Sequence, residues 1–154
     1  MRYKFDDPVH GTIGDIKYQC TIEWHNGKFI ADEPATSGGK DLGPDPYSLL
    51  LSSLASCTLI TMRMYIDRKG WNIPGIAVNA NLYQEIKEGK KITIIDQDII
   101  FLSEVEEEQK TRLIEIAKRC PISKIIEGDL KVRTFQFKDC ETEKTKKYIN
   151  EKSP

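Results

Sequence analysis

The chain has 154 residues, enough for one domain to bury a core without disulfide or metal staples, and no second domain is expected. Apolar residues make up 39 % and charged residues 31 %, with a net charge of −1, so there is no generic attraction to nucleic acid or to an anionic membrane, and neither is expected as a partner. The opening MRYKFDDPVHGTIGD has no apolar h-region, and no run reaches the roughly 18 uninterrupted apolar residues of a spanning helix, so a cytoplasmic location is expected.

In chain order, the first clear pattern is the alternation of Ile16, Tyr18, Cys20, Ile22 and Trp24 with polar neighbours, the period of a half-buried strand. Asn26-Gly27 follows and predicts a tight hairpin with positive φ, returning through Lys28 to Ala31. Residues 37–45 hold SGGK and GPDP and read as an ordered loop. Asp45 then caps a helix whose first residue is Pro46 and which Gly70 stops after Lys69. Its apolar residues surround the axis, which predicts a helix buried on most sides.

Ile76, Val78, Ala80 and Leu82 alternate, and residues 92–101 are rich in β-branched side chains, predicting two strands joined near Glu88-Gly89. Ser103 and Glu106 form a capping-box pattern for a helix through Arg119. Pro121 then opens a short helix ending before Gly128, and residues 130–137 close as a strand. Strands grouped around one long central helix make the fold class α+β, with a core over about residues 16–137 and a charged tail over 138–154.

The four cysteines, Cys20, Cys57, Cys120 and Cys140, show no CxxC pairs, so reduced thiols are the default. Cys20 sits on an apolar strand face and reads as a small core hydrophobe, while Cys140 lies in the charged tail without an activating partner. For Cys57, a structural role in a buried helix competes with a functional one. Helical spacing sets Leu50, Ser53, Leu54, Ile60, Thr61 and Met64 on its side, an apolar surface carrying hydroxyls that suits an organic substrate with one polar reactive group. Cys120, just before a proline-led helix, serves equally as a cap or as a thiolate favoured by unpaired N–H groups, with Arg119 and Lys124 nearby. His10 and His25 flank no cysteine at ligand spacing, so neither a metal nor another cofactor is expected.

The run GPDPYSLLLSSLASCTLITMRMYIDRKGW resembles the cysteine helix of the OsmC/Ohr family, and RCPISKII resembles that family's Cys-Pro motif, in the same order and at a similar separation. The resemblance implies an intertwined homodimer with the active site between subunits, and reduction of an organic hydroperoxide at the expense of an external dithiol. On it, Cys57 is the attacking cysteine, Cys120 the resolving one, and Tyr47, Leu50, Leu54 and Ile60 line the substrate pocket. Two departures stand out. The family glutamate early in the helix is replaced by Tyr47-Ser48, and the hairpin arginine of the Ohr branch by Lys28. Lysine keeps the charge and loses the bidentate fork. A mid-helix Cys57 needs a nearby cation; Lys28 and Lys40 are the candidates, against the alternative that both are solvated surface lysines. The competing function is a dimeric binding protein for an apolar ligand, with Cys57 as a core residue.

Overall fold

The structure is a computed structural model that describes residues 3–136. Three antiparallel strands come first: β1 (His10–Ile13), β2 (Cys20–Trp24) and β3 (Gly27–Ala31), in the order β1-β2-β3. The strand predicted from Ile16 begins only at Cys20. Tyr18 takes a left-handed φ of 63°, and the Gln19 N–H donates to the Ile16 carbonyl, so residues 16–19 form a turn that delivers β1 alongside β2. The alternating pattern had no means of showing that reversal.

The β2–β3 hairpin is present, but its loop is His25-Asn26, with Trp24 paired to Gly27. Neither Asn26 nor Gly27 is among the positive-φ residues, which corrects the expectation of a turn built on them. Glycine is needed at 27 for another reason: a Cβ there would stand 2.5 Å from Cζ2 of the Trp24 ring, which lies across it. At the second hairpin the positive φ values are real. Glu88 (52°) and Gly89 (75°) join β4 (Ile76–Lys87) to β5 (Lys90–Phe101), which pair along their whole length from Ile76↔Phe101 to Lys87↔Lys90.

The helix α1 (Pro46–Lys69) has the predicted ends. Asp45 Oδ1 accepts the N–H groups of Tyr47 (2.8 Å) and Ser48 (3.2 Å), and Gly70 closes the helix at φ 64°, donating to Asp67 and Ile66 carbonyls. By length and composition α1 could cross a membrane. Its tertiary packing makes it a core helix: Met62, Tyr65 and Ile66 join Ile73 and, from α2 (Glu107–Ala117), Leu113, Ile116 and Ala117, with Ile76, Ile99 and Phe101 of the β4–β5 sheet beneath. Only one stripe of α1 is buried in this way, comprising Leu54, Thr58, Met62, Tyr65 and Ile66. The helix is therefore not buried on most sides within one chain.

Two further expectations are corrected. The predicted capping box at Ser103 does not form; α2 starts at Glu107, with Glu106 in the cap position and no side-chain cap bond. Residues 103–106 instead carry Val105 against the core, leaving Ser103 Oγ buried with no partner among the described residues. The short helix α3 (Pro121–Glu127) is as predicted, but residues 129–136 form no strand. A strand needs a neighbour to take its N–H and C=O groups, and no described strand pairs with this segment. Phe137 and the charged tail with Cys140 lie outside the described residues.

Candidate active site

Three backbone features deliver the site. The Asp32 carboxylate, almost wholly buried, accepts the N–H groups of Glu33 (2.9 Å), Lys40 (3.1 Å) and Leu42 (3.3 Å), which folds the SGGK loop back on itself ahead of α1. Asp45 then starts α1, so Cys57 falls three turns into the helix. At the far end of the chain, the C-terminal turn of α2 runs through Lys118 and Arg119, and the Cys120 N–H donates to the Ala117 carbonyl (3.1 Å). That turn places Cys120 in the N-cap position of α3, which packs on α1.

The packing of α3 on α1 brings Cys57 and Cys120, under half the chain apart in sequence, close enough for each thiol to act on the ionisation of the other. Cys120 is fully buried (0 % exposed), and Cys57 stands half-buried at the edge of the stripe of α1 that packs inward. Both are free thiols.

The two sulfurs differ in their surroundings. Burial, and then the Cys120 thiol beside it, push Cys57 up from the ordinary thiol value, against smaller help from the Ile122 N–H and the Thr61 hydroxyl. Burial also penalises a Cys120 thiolate, but it is outweighed by Cys57, by the N–H groups of Ser123 and Ile122 at the start of α3, and by the Thr58 hydroxyl, so Cys120 comes down. Its sulfur makes no cap hydrogen bond of good geometry; the helix start acts on it as a local field of N–H dipoles. Of the two readings of Cys120, cap or electrostatically favoured thiolate, the structure places the residue in the N-cap position without a side-chain cap bond, and its surroundings pull the thiol down.

Of the other expected site residues, Leu54 is buried, whereas Tyr47, Leu50 and Ile60 are exposed on α1. Lys28 on β3 and Lys40 in the loop are exposed, and neither is among the groups acting most strongly on Cys57. Ser48, in the turn where the resemblance sets Tyr47-Ser48 in place of a glutamate, donates its hydroxyl to Asp45 Oδ2 (2.5 Å), so this turn of helix is committed to the cap. Sequence reasoning missed Thr58. Its hydroxyl is fully buried and donates to Gln97 Oε1 across the interface with β5 (3.0 Å). The polar Asp96-Gln97-Asp98 interruption in an apolar strand was the available signal, since the middle residue of such a triplet points to the opposite face from its neighbours. A cavity of about 860 Å³ opens elsewhere, between Tyr65, Lys69 and Trp71 and the acidic first turn of α2, and contains neither cysteine.

Residues 38–135 match the family model described as OsmC-like protein. The chain belongs to the OsmC-like family. A comparison of its sequence with curated proteins finds no match. Solved structures share its fold: a proposed osmotic stress induced and detoxification response protein from Psychrobacter arcticus, at a TM-score of 0.66 and 20 % identity, covers 80 % of this chain and 90 % of its own. An OsmC-like protein from Mycoplasma pneumoniae, at 0.63 and 19 %, covers 82 % and 90 %. An organic hydroperoxide resistance protein from Elizabethkingia anophelis, at 0.62 and 21 %, covers 84 % and 93 %. At such identities the likeness establishes the fold of this OsmC-like protein, an α+β arrangement of antiparallel sheets and a long helix.

Proposed function

We propose that this OsmC-like protein is a cysteine-based peroxidase that reduces organic hydroperoxides, as a cytoplasmic homodimer built from one domain per chain. The observation that carries the reading is the packing that brings Cys57 on α1 close to Cys120 at the start of α3. Two thiols held this way, one buried and one at the edge of an apolar surface, suit a reaction that ends in a disulfide.

In the reduced pair, Cys57 hands its proton to the Cys120 thiolate as its sulfur attacks the outer peroxide oxygen. The O–O bond breaks, the alkoxide takes a proton from solvent and leaves as the alcohol, and Cys57 is oxidised to a sulfenic acid. Cys120 then attacks the Cys57 sulfur. The S–S bond forms as the S–O bond breaks, and the departing hydroxide takes the Cys120 proton and leaves as water. An external dithiol restores both thiols by exchange and is itself oxidised to a disulfide. Cys120 thus serves as the base for the first step and the resolving thiol for the second, which removes the requirement for a lysine at Cys57; Lys28 and Lys40 remain secondary candidates that a partner subunit could bring closer.

The pocket needs a second wall. Tyr47, Leu50, Ile60 and Met64 stand exposed on α1, and Leu130, Val132 and Phe135 stand exposed in a segment that no described strand pairs with. A second copy of this chain, covering the face of α1 beside Cys57, would enclose an apolar substrate site.

Stopped-flow oxidation of the reduced protein by cumene hydroperoxide and by hydrogen peroxide tests the reading. Cys57→Ser is expected to abolish peroxide consumption, and Cys120→Ser, which loses the base as well as the resolving thiol, to permit about one slowed turnover and then stall. Retained multiple turnover in Cys57→Ser would overturn the assignment. The suppressed ionisation of Cys57 favours one rival, a binding protein for an apolar ligand with Cys57 as a core residue. It predicts slow, unselective alkylation of the thiols and no disulfide after one equivalent of hydroperoxide.

A further inference from the structure

Thr58 stands between Leu54 and Met62 in the buried stripe of α1, a fully buried hydroxyl between two apolar side chains. Across from it, Gln97 stands between Ile95 and Ile99 in the row of β5 that turns inward, opposite the small Ala80 of β4. Each element thus sets a polar side chain in the middle of an apolar run, and the two meet, Thr58 Oγ1 donating to Gln97 Oε1 (3.0 Å). An apolar pair of the same volume would fill the space at little or no cost in stability, so stability alone does not account for the bond.

We propose that Thr58 and Gln97 are positioning residues for Cys57, a polar key that fixes the rotation of α1 about its axis against β5. The helix carries apolar side chains on both its buried and its exposed face, so burial of apolar area, which has no direction, separates one rotation from the next only weakly. A hydrogen bond between buried groups does have direction, and another rotation would leave the Thr58 hydroxyl and the Gln97 carbonyl apart in apolar surroundings. A single buried polar residue sets the register of a coiled coil in the same way. Successive residues of a helix lie about 100° apart around its axis, so holding Thr58 on β5 holds Cys57 one step round, at the edge of the buried stripe, where α3 brings Cys120.

The other side chains of α1 that hydrogen-bond to distant parts of the chain, among the described residues, lie beyond Cys57 toward the C-terminal end. Arg63 donates to the carbonyls of Ile73 and Pro74, and the Tyr65 hydroxyl accepts from Arg112 Nε of α2 (3.0 Å). Neither reaches the sheet. Thr58 to Gln97 is the side-chain bond that joins α1 to β5, and it is made by the residue next to Cys57. The inference rests on the two-cysteine reading and adds what aims Cys57 at Cys120.

The test is the effective concentration of the Cys57–Cys120 pair in the folded protein, measured by equilibration with reduced and oxidised glutathione and quantified by non-reducing peptide mapping, beside urea denaturation of the reduced protein. The double variant Thr58→Val/Gln97→Leu puts an apolar contact of similar shape in place of the bond. It is expected to unfold at a urea concentration no lower than wild type, while the effective concentration falls about tenfold, the equivalent of one hydrogen bond. A merely structural bond would lower the urea midpoint and leave the effective concentration unchanged. Gln97→Asn, which keeps the amide and withdraws it by one methylene, guards against a double variant that fails to fold and is expected to show the same fall. Thr58→Ser, which keeps the hydroxyl, is expected to hold the wild-type value. An unchanged effective concentration in the folded double variant, or in Gln97→Asn, overturns the key. Absence of any Cys57–Cys120 bridge in the wild-type protein is a different result, which overturns the two-cysteine reading itself and the key with it.

Discussion

The two long faces of α1 carry similar side chains and meet opposite fates. On one, Leu54, Met62 and Ile66 lie at or below 3 % exposure, with Met62 and Ile66 packed on α2 and the β4–β5 sheet. On the other, Ile60 is 60 % and Met64 68 % exposed, beside a half-buried Cys57. Hydrophobicity alone does not separate Met62 from Met64, two residues apart on one helix; the position of each around the axis, relative to the elements the chain itself supplies, does. Within the chain only one face of this apolar helix is covered, and the proposed homodimer would cover the other.

Substitutions on each face sharpen that contrast. Met62→Ala should lower the unfolding free energy by about 2–5 kcal/mol, the usual cost of truncating a fully buried methionine, as read by urea denaturation. Met64→Ala should cost much less at high dilution, within about 0.5 kcal/mol if the face is solvated there. A Met64 penalty that grows with protein concentration would reveal a partner on this face. Met64→Asp should then convert a dimer to a monomer by light scattering while leaving the circular dichroism spectrum intact. A wild-type protein that is monomeric at micromolar concentration would remove the second partner and leave the pocket open.

The cysteine pair sits where the two faces meet and should titrate accordingly. An acid whose ionised form is favoured loses its proton at lower pH, so the Cys120 thiolate should form below the ordinary thiol range, and the Cys57 thiolate above it. As pH rises, thiolate absorbance should therefore appear in two separated steps rather than one, and the rate of peroxide reduction should climb through the first. A single step at the value of a free thiol would show that the two sulfurs do not interact in solution.

Smaller effects belong to the periphery of the buried face. Arg63 Nη2 donates to the Ile73 carbonyl (2.8 Å) and more weakly to that of Pro74 (3.3 Å), fastening the end of α1 to the chain entering β4, and Arg63→Ala should cost about 1–2 kcal/mol in the same denaturation assay. Glu107→Gln, which removes an exposed ion pair with Lys110, should change stability by less than about 1 kcal/mol.

Local chemistry made the ends of α1 legible before any fold was known: an aspartate that can accept two N–H groups, a proline whose missing donor does no harm at the first position, and a glycine free to take positive φ each act within a few residues of themselves. The β4–β5 hairpin and the proline-led α3 were readable on the same ground, as were the two motifs that carry the family resemblance. Apart from the turn expected on Asn26-Gly27, the inferences that failed needed a neighbour. Ser103 had the spacing of a capping box, but Val105 was drawn to the core and α2 began later; residues 130–137 had the composition of a strand, and no described strand lies beside residues 130–136 to pair with them. The meeting of Cys57 with Cys120, and the turn of Thr58 away from it toward Gln97, depend on how α1 packs against α3 and β5. Residue identities settle which contacts are chemically possible, but contacts between residues distant in sequence are selected by the packing of whole elements, and only the tertiary structure contains that choice.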